Sequence, residues 1–324
     1  VLGRAVSWRR PRLHLIGMAL GALFLAGCAS LSPDAGFSAV QSTTKERIGK
    51  ELTWVRDDAQ QETLDKRVTE LLAKPLGADD AVQVALLNNR GLQARFADLG
   101  ITEAQMVQAG RLPNPGFSFG RLRRGDEIEI DRGIQFNLMR LLTLPVASQL
   151  ERRRFEQVQR EVAMDVLSHA ANTRKAYFQT VAADEAVRYM RQVKDIAEAS
   201  AELARRMEQV GNFNKLDRAR EQAFYADAML GLARAEQAQR STRERLTRLL
   251  GVWGPQAQFQ LPERLPDLPP EPKDQPDVER VAMAQRLDVK AAKLGAEQTA
   301  RNLGLTRATR FVDVLELGLV HNSS

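Results

Sequence analysis

The side chains that could carry chemistry are few and poorly grouped in this 324-residue chain. Its single cysteine, Cys28, cannot form an internal disulfide and cannot build a zinc site with several thiolate ligands. The three histidines have no spacing that predicts a shared metal ion: His14, His169 and His321. The sequence therefore predicts no metal site and no cofactor.

Four carboxylates lie close together and could be paired for acid–base work: Asp126, Glu127, Glu129 and Asp131. No nucleophile or second base accompanies them, which a catalytic constellation would need. The polar face of a strand or loop is the preferred interpretation. We predict no catalytic residues and no enzyme.

Cys28 ends the one strongly apolar run of the chain. Four arginines come first (Arg4, Arg9, Arg10 and Arg12), and the apolar run 13–25 follows. A basic start, a short apolar core and a small-residue exit are typical of a secretory signal peptide, and about 13 apolar residues are too few to span ~30 Å of hydrocarbon. Leu25-Ala26-Gly27-Cys28 resembles a bacterial lipobox, in which the signal is cut before a lipid-modified cysteine. We predict a lipoprotein signal peptide over 1–27 and lipidation of Cys28; the alternative is a signal-anchor with an incidental cysteine.

Much of the net positive charge of the chain comes from this leader. The chain has 47 Lys+Arg and 41 Asp+Glu, but the leader holds four arginines and no acid. The remainder is nearly balanced, which argues against a nucleic-acid-binding surface. Aromatic residues make up only 6% of the chain, and this composition favours long helices over a thick core.

No proline occurs between Pro145 and Pro255, which indicates very long helices. We predict a long helix over 146–210, a tip over 210–217 ("VGNFNKLD") and a return helix over 214–250. Apolar and small residues at alternating spacings of three and four predict the seams by which the two arms pack. The seam positions are Val193, Ile196, Ser200, Leu203, Met207 and Val210 in the first arm, and Leu216, Ala219, Ala223, Ala226, Leu230 and Ala233 in the second. A further helix is predicted over 88–111.

Between these helices the hydrophobic period changes to two, which indicates strands with a turn at Gly125-Asp126. We predict a strand pair within 115–139 that has one aromatic and aliphatic face and one polar or charged face. The apolar positions are Phe117, Phe119, Ile128, Ile130, Ile134, Phe136 and Leu138. A soluble hairpin over a core would give the same alternation, but in an exported, lipid-anchored chain it favours strands that are apolar toward lipid.

These segments, in this order, resemble the TolC-type outer-membrane efflux channels, and particularly their lipoprotein branch. The similar stretches are "DDAVQVALLNNRGLQA" (79–94), "GRLPNPGFSFG" (110–120), "LTLP" (142–145), "VGNFNKLD" (210–217) and "RLTRLLG" (245–251). The resemblance implies a mainly α fold with a small transmembrane β part, in which long antiparallel helical hairpins form an α-barrel and the strand pair belongs to a β-barrel.

The resemblance also implies the partners and the location. It implies a homotrimer in the outer membrane that extends into the periplasm and passes substrates from an inner-membrane pump through a periplasmic adaptor. Its tip would contact the adaptor through Val210, Gly211, Asn212 and Asp217, although the family often has an apolar residue or alanine where this chain has Asn212. Outer-membrane lipids are expected partners, and nucleic acid is not.

The resemblance further implies two tandem repeats. Residues 28–77 are expected to form an N-terminal periplasmic or equatorial segment, 78–254 the first repeat, 255–277 a proline-rich linker and 278–324 the start of a second repeat. With an offset of 197, Ala85 aligns with Ala282 and Ala94 with Ala291. The second copy has far fewer residues than the first, so we expect a truncated chain, which puts its channel activity in question.

Two functions are consistent with these features. The first is a channel subunit of an efflux or type I secretion-like system, acting as a passive exit duct. The second is a lipid-anchored helical scaffold of the cell envelope that forms no channel. Insertion of the strand pair into a membrane distinguishes them.

Overall fold

The computed structural model describes residues 31–268, 270–271, 276–310 and 315–323. The predicted leader and Cys28 lie outside these residues. Within them the chain is mostly helical, with a small sheet. The helices are α1 (Phe37–Ile48), α2 (Asp58–Leu72), α3 (Ala78–Asn88), α4 (Arg90–Ala109), α5 (Leu138–Gln209), α6 (Lys215–Leu250), a 3₁₀ turn (Gly254–Gln258), α7 (Val278–Gln285) and α8 (Leu287–Thr309). The strands are β1 (Gly116–Arg124), β2 (Glu127–Asn137) and β3 (Glu316–Ser323).

The chain divides into two compact units. The core unit comprises residues 37–97 and 159–289, and the sheet unit comprises 98–158 together with the described residues before 37 and after 289. Each unit has its own kind of packing.

The core unit buries an apolar cluster where α2, α3, the middle of α5 and the end of α6 meet. The cluster contains Leu64, Val68 and Leu71 of α2, Ala81, Val84, Ala85 and Leu87 of α3, Ala176, Tyr177 and Val181 of α5, Leu246 and Leu250 of α6, and the flanking residues Leu76, Val252 and Phe259. Leu76 donates its backbone N–H to the carbonyl of Gln260 at 2.8 Å, and the Arg243 guanidinium lies 4.6 Å from the Phe259 ring centroid. The segment between α2 and α3 and the segment after the 3₁₀ turn are thereby fixed to the cluster.

The hairpin of α5 and α6 packs through a face different from the predicted one. Ile196, Leu203 and Leu216 of the predicted seams are 68%, 58% and 62% exposed, whereas Ala197, Ala204 and Ala228 are nearly buried. Ser200, a predicted seam residue, does reach across the hairpin and donates to Glu221 Oε2 at 2.7 Å. The buried side chains of this part of the hairpin are therefore small, and the larger apolar side chains are exposed.

Gly231 belongs to this contact as well. As expected, it lies within the second helix. An added Cβ there would lie 3.3 Å from Met190 Sδ, so the residue faces a side chain of α5.

Helix α5 begins eight residues before the predicted start and continues through Pro145. The Asn137 side-chain oxygen accepts the N–H of Arg140 at 2.8 Å, which starts the helix directly at the end of β2. Pro145 then lies near the helix start and removes a single backbone hydrogen bond. The proline therefore does not mark the helix boundary.

The predicted helix over 88–111 is present as α4, Arg90–Ala109, with a break just before its start. A break at Asn89, with ψ 113°, separates α3 from α4, and a break at Arg286, with ψ 125°, separates α7 from α8. In each case the residue at the break donates its N–H to the carbonyl four residues earlier, Ala85 or Ala282. These equivalent breaks lie at the offset of 197 found in the sequence.

Candidate functional site

The sheet exposes its large apolar side chains. It is antiparallel with the order β1-β2-β3, and Gly125, in the connection between β1 and β2, has φ +66°. Phe117 lies opposite Ile134, which lies opposite Leu319, so the three strands contribute to one face. Phe117, Phe119 and Leu319 are 76%, 71% and 77% exposed.

This face also carries cations, which corrects the prediction of an aromatic and aliphatic face. The pairing places Arg132 opposite Phe119, Arg121 opposite Ile130, and Arg123 opposite Ile128; His321 of β3 lies opposite Arg132. We call the surface made by Phe117, Phe119, Ile128, Ile130, Ile134, Phe136, Leu317, Leu319, Arg121, Arg123, Arg132 and His321 the arginine face. The sequence contained a signal for this face: Arg121 and Arg123 continue the two-residue spacing of Phe117 and Phe119, so all four side chains lie on the same side of β1.

The opposite face of the sheet carries the acids. Glu127, Glu129 and Asp131 alternate with the isoleucines of β2, and Asp131 lies opposite Gly120 of β1. Gly133 is buried on this side, and an added Cβ would lie 2.4 Å from Ser118 Oγ. The four clustered carboxylates thus belong to a polar strand face and its turn.

Leu138, predicted as a membrane-facing strand residue, is wrong as a strand position. It is the first residue of α5, because Asn137 ends β2 and accepts a hydrogen bond from the first helical turn. Its N–H donates to the carbonyl of Leu315 at 2.8 Å. The other six predicted residues lie in β1 and β2 on one face.

The tip is a tight helix reversal. Gly211 has φ +80°, its N–H donates to Glu208 O and the N–H of Asn212 donates to Met207 O, both at 2.9 Å, which is the Schellman end of a helix. Val210 is 70% exposed and Asn212 is exposed. Both are available to a partner.

Asp217 has a local role at the tip. Asn214 caps α6 by accepting the N–H of Asp217 at 2.8 Å, and the Asp217 carboxylate accepts from Asn214 Nδ2 at 2.5 Å and from Arg220 at 3.1 Å. Its carboxylate is therefore engaged within the first turn of α6.

A second helix end, at the far side of α6, was not predicted as a site. Gly251 has φ +70°, and an added Cβ would lie 2.7 Å from the carbonyl oxygen of Asn88. Asn88 Nδ2 donates to Gly251 O at 2.8 Å and Asn89 Nδ2 to Leu249 O at 3.3 Å. The helix is thus capped by side chains of the break between α3 and α4.

His169 of α5 contributes to the same helix end. Its Nε2 lies 3.0 Å from Leu249 O, so Nε2 carries the hydrogen. Burial lowers the pKa of His169 below its ordinary value of 6.5, and the hydrogen bond to Leu249 opposes this shift. The residue thus has a capping position. In the part of the chain that the structure describes, no group of three or more His, Cys, Asp or Glu side chains could hold a metal ion.

Within the described residues, none of the helices is both long and apolar enough to cross a membrane.

Comparison with known proteins gives a family match for the segment that forms the hairpin. Residues 142–252 match the outer membrane efflux protein family. Over 251 residues the chain is 27% identical to the cobalt-zinc-cadmium resistance protein CzcC of Cupriavidus metallidurans, a match that covers 72% of this chain and 58% of that protein. The predicted resemblance to outer-membrane efflux channels is thereby confirmed.

Solved structures share the fold. Crystal structures of CusC superpose with a TM-score of 0.59 at 18% identity, covering 76% of this chain and 60% of that one. The Campylobacter jejuni CmeC outer membrane channel gives 0.61 at 15% identity, covering 87% and 66%. The open Neisseria gonorrhoeae MtrE channel gives 0.55 at 18% identity, covering 75% and 62%. The chain spans less than two thirds of the length of each of these proteins. The shared fold confirms the prediction of a mainly α protein with a small antiparallel sheet.

Proposed function

We propose that this chain, with its outer membrane efflux protein domain over 142–252, is a subunit of an outer-membrane exit channel. It would act as a passive duct for substrates that an inner-membrane pump and a periplasmic adaptor deliver. The family match carries the proposal, because it covers most of α5, the tip and all of α6. Channels of this family are not enzymes, and the described residues offer no competing catalytic constellation.

The stripe of exposed apolar residues on the hairpin supports assembly with other helices. It includes Ile196, Leu203, Val210, Leu216, Phe224 and Leu230, each at least 49% exposed. Large contiguous apolar surfaces on soluble domains mark interaction sites. We infer that these residues contact hairpins of further subunits, in a homotrimer.

The tip supports contact with an adaptor. Val210, Gly211 and Asn212 form a compact reversal whose side chains are exposed. An adaptor would engage Val210 and Asn212, while Asp217 would act by keeping α6 capped.

The sheet supports membrane insertion. Its arginine face exposes seven large apolar residues, five in β1 and β2 and two in β3, a pattern suited to hydrocarbon. The opposite acidic face would then line the water-filled path. Cys28 would add a lipid anchor in the outer membrane.

For the cargo, the relative named for cobalt, zinc and cadmium resistance suggests divalent metal cations. Glu127, Glu129 and Asp131 on the polar face would attract such ions into the path. Expression should then raise the metal tolerance of cells that hold the matching pump and adaptor, and Glu129→Gln with Asp131→Asn should reduce that gain.

Site-directed labelling tests the channel proposal directly. Single cysteines at Phe119 and Asn212 would be probed in intact cells and in isolated outer membranes. We expect Phe119→Cys to react with a lipid-soluble reagent and to resist a water-soluble one, and a photo-crosslinker at 212 to capture a periplasmic protein. If Phe119→Cys reacts freely with the water-soluble reagent in outer membranes, the scaffold function replaces the channel.

A further inference from the structure

We infer that the arginine face binds a lipid whose headgroup carries phosphate and a net negative charge, with the phosphates on Arg121, Arg123 and Arg132 and the acyl chains against the phenylalanines. The inference rests on the proposed function, because it requires the sheet to lie in a membrane. It adds a specific ligand class to a surface that would otherwise contact hydrocarbon only.

The face contains a groove of the right composition. An open cleft of about 560 Å³ runs across the three strands. Its lining includes Phe117, Phe119, Ile134 and Leu319, together with the cationic Arg132 and with His321. Apolar floor and cationic edge in one cleft match an amphiphile better than a free ion, since a free phosphate gains nothing from the floor.

The cations on this face have no compensating acids. Every carboxylate of β1 and β2 lies on the opposite face, in the register that pairs Asp131 with Gly120. Among the described residues, Arg121 and Arg132 have no ion-pair partner. Arg123 donates Nε–H to Gly125 O at 3.1 Å, which leaves its other guanidinium hydrogens free to bind. The face therefore presents three exposed guanidinium groups that need anions.

The order of residues along the strands matches the order of groups in a lipid. The row of Phe117, Ile134 and Leu319 is purely apolar. The row of Arg123 and Ile128 lies six residues further on, about 20 Å along β1 and next to the turn. Arginines facing bare hydrocarbon would destabilise insertion, whereas arginines that bind phosphates bidentately would favour it. The phosphates are thus expected from Arg132 toward the Gly125 end of the sheet.

The test uses the full chain in vesicles of two compositions. One is pure phosphatidylcholine, and the other adds a bisphosphorylated glucosamine lipid (lipid A). Native mass spectrometry of the protein released from each vesicle counts bound lipid A, and protease digestion before release reports whether the strands are inserted. The variant replaces Arg121, Arg123 and Arg132 by Gln. The matched control replaces Arg234, Arg240 and Arg245, exposed arginines of α6, by Gln and changes the charge equally.

We expect the wild type and the control to retain lipid A and the variant to bind it roughly 100-fold more weakly, since each basic side chain near an anionic lipid contributes a severalfold gain. Arg132→Lys should retain most of the binding. Equal lipid A retention by the variant and the wild type, with both inserted, would overturn this inference and leave the channel proposal standing. Strands that stay protease-sensitive in both kinds of vesicle would overturn the channel proposal and this inference with it.

Discussion

Helices α5 and α6 end in the same local structure but in different surroundings. α5 ends at Gly211, with φ +80°, and α6 ends at Gly251, with φ +70°. In both, the residue after the glycine donates its N–H to the carbonyl five residues earlier: Asn212 to Met207 and Val252 to Thr247. Short-range sequence is sufficient for such an end, because a glycine at the left-handed position lets the last carbonyls be satisfied locally.

The two ends differ in what surrounds them. An added Cβ at Gly211 would meet nothing within 4 Å, whereas one at Gly251 would meet Asn88 O at 2.7 Å. Side chains of Asn88, Asn89 and His169 bind carbonyls at the Gly251 end. The tip is thus a locally specified, open surface suited to a partner, and the Gly251 end is a joint fixed by tertiary contacts.

The largest expected effect is at the packed joint. Gly251→Ala forces a side chain into the left-handed region and against the Asn88 backbone, which cannot move as a flexible side chain would. We expect the free energy of unfolding to fall by about 2–4 kcal/mol, measured by denaturant unfolding in detergent with circular dichroism.

Gly49→Ala is the matched control, since Gly49 has φ +64° and nothing within 4 Å of an added Cβ. It isolates the backbone cost of about 1 kcal/mol. Equal losses for Gly251→Ala and Gly49→Ala would show that the approach of Asn88 has no energetic consequence, and the comparison of the two helix ends would fail.

A smaller effect is expected from the polar contacts of the same joint. Asn88→Ala leaves the carbonyl of Gly251 without the Nδ2 donor at 2.8 Å, which should cost about 1–2 kcal/mol in the same unfolding measurement. Asn212→Ala at the exposed tip should change stability by less than about 0.5 kcal/mol. If the two alanine variants unfold alike, side-chain capping does not distinguish the joint from the tip.

At the tip, Gly211→Ala should cost only the backbone term, about 1 kcal/mol. Gly211→Asn should cost less, because asparagine tolerates the left-handed region. Hydrogen exchange should locate the loss in the last turn of α5 and the first of α6. A loss as large as that of Gly251→Ala would mean that the tip has packing contacts that the structure does not contain.

The smallest effect concerns pH. Because the folded-state pKa of His169 lies below 6.5, the unfolded chain binds more protons than the folded chain at pH values between the two pKa values. This contribution to stability is therefore complete above about pH 6.5 and is lost as the pH falls toward the folded-state pKa. His169→Gln should unfold with a flatter pH dependence than the wild type between about pH 8 and pH 5.5. Parallel curves would show that His169 does not titrate differently in the two states.

Much of the secondary structure could be predicted because its signals are local. The absence of proline between Pro145 and Pro255 indicated the long hairpin, Gly211 and Asn212 marked the tip, and alternation around Gly125 indicated the strands. The start of α5 was missed because Pro145 was read as a boundary, while the cap that decides it is Asn137.

The contacting face of the hairpin was missed for a different reason. Ile196 and Leu203 follow a seam spacing, but so do Ala197 and Ala204 one position later. The spacing of apolar residues shows which side of a helix is apolar. It does not show which residues on that side are buried against another helix. Only the packed structure shows that the small residues are the buried ones in the hairpin.

The sequence by itself determined the helical hairpin, its reversal at Gly211, the strands around Gly125 and the resemblance to outer-membrane efflux channels, since each depends on residue types within a few positions of one another. The tertiary structure alone decided that Arg132 lies beside Phe119 on one face of the sheet. It also decided that Ala197 and Ala204 are buried while Ile196 is exposed, and that the backbone of Asn88 lies directly against Gly251. These features depend on strand register and helix rotation, which are set by contacts between residues far apart in the chain.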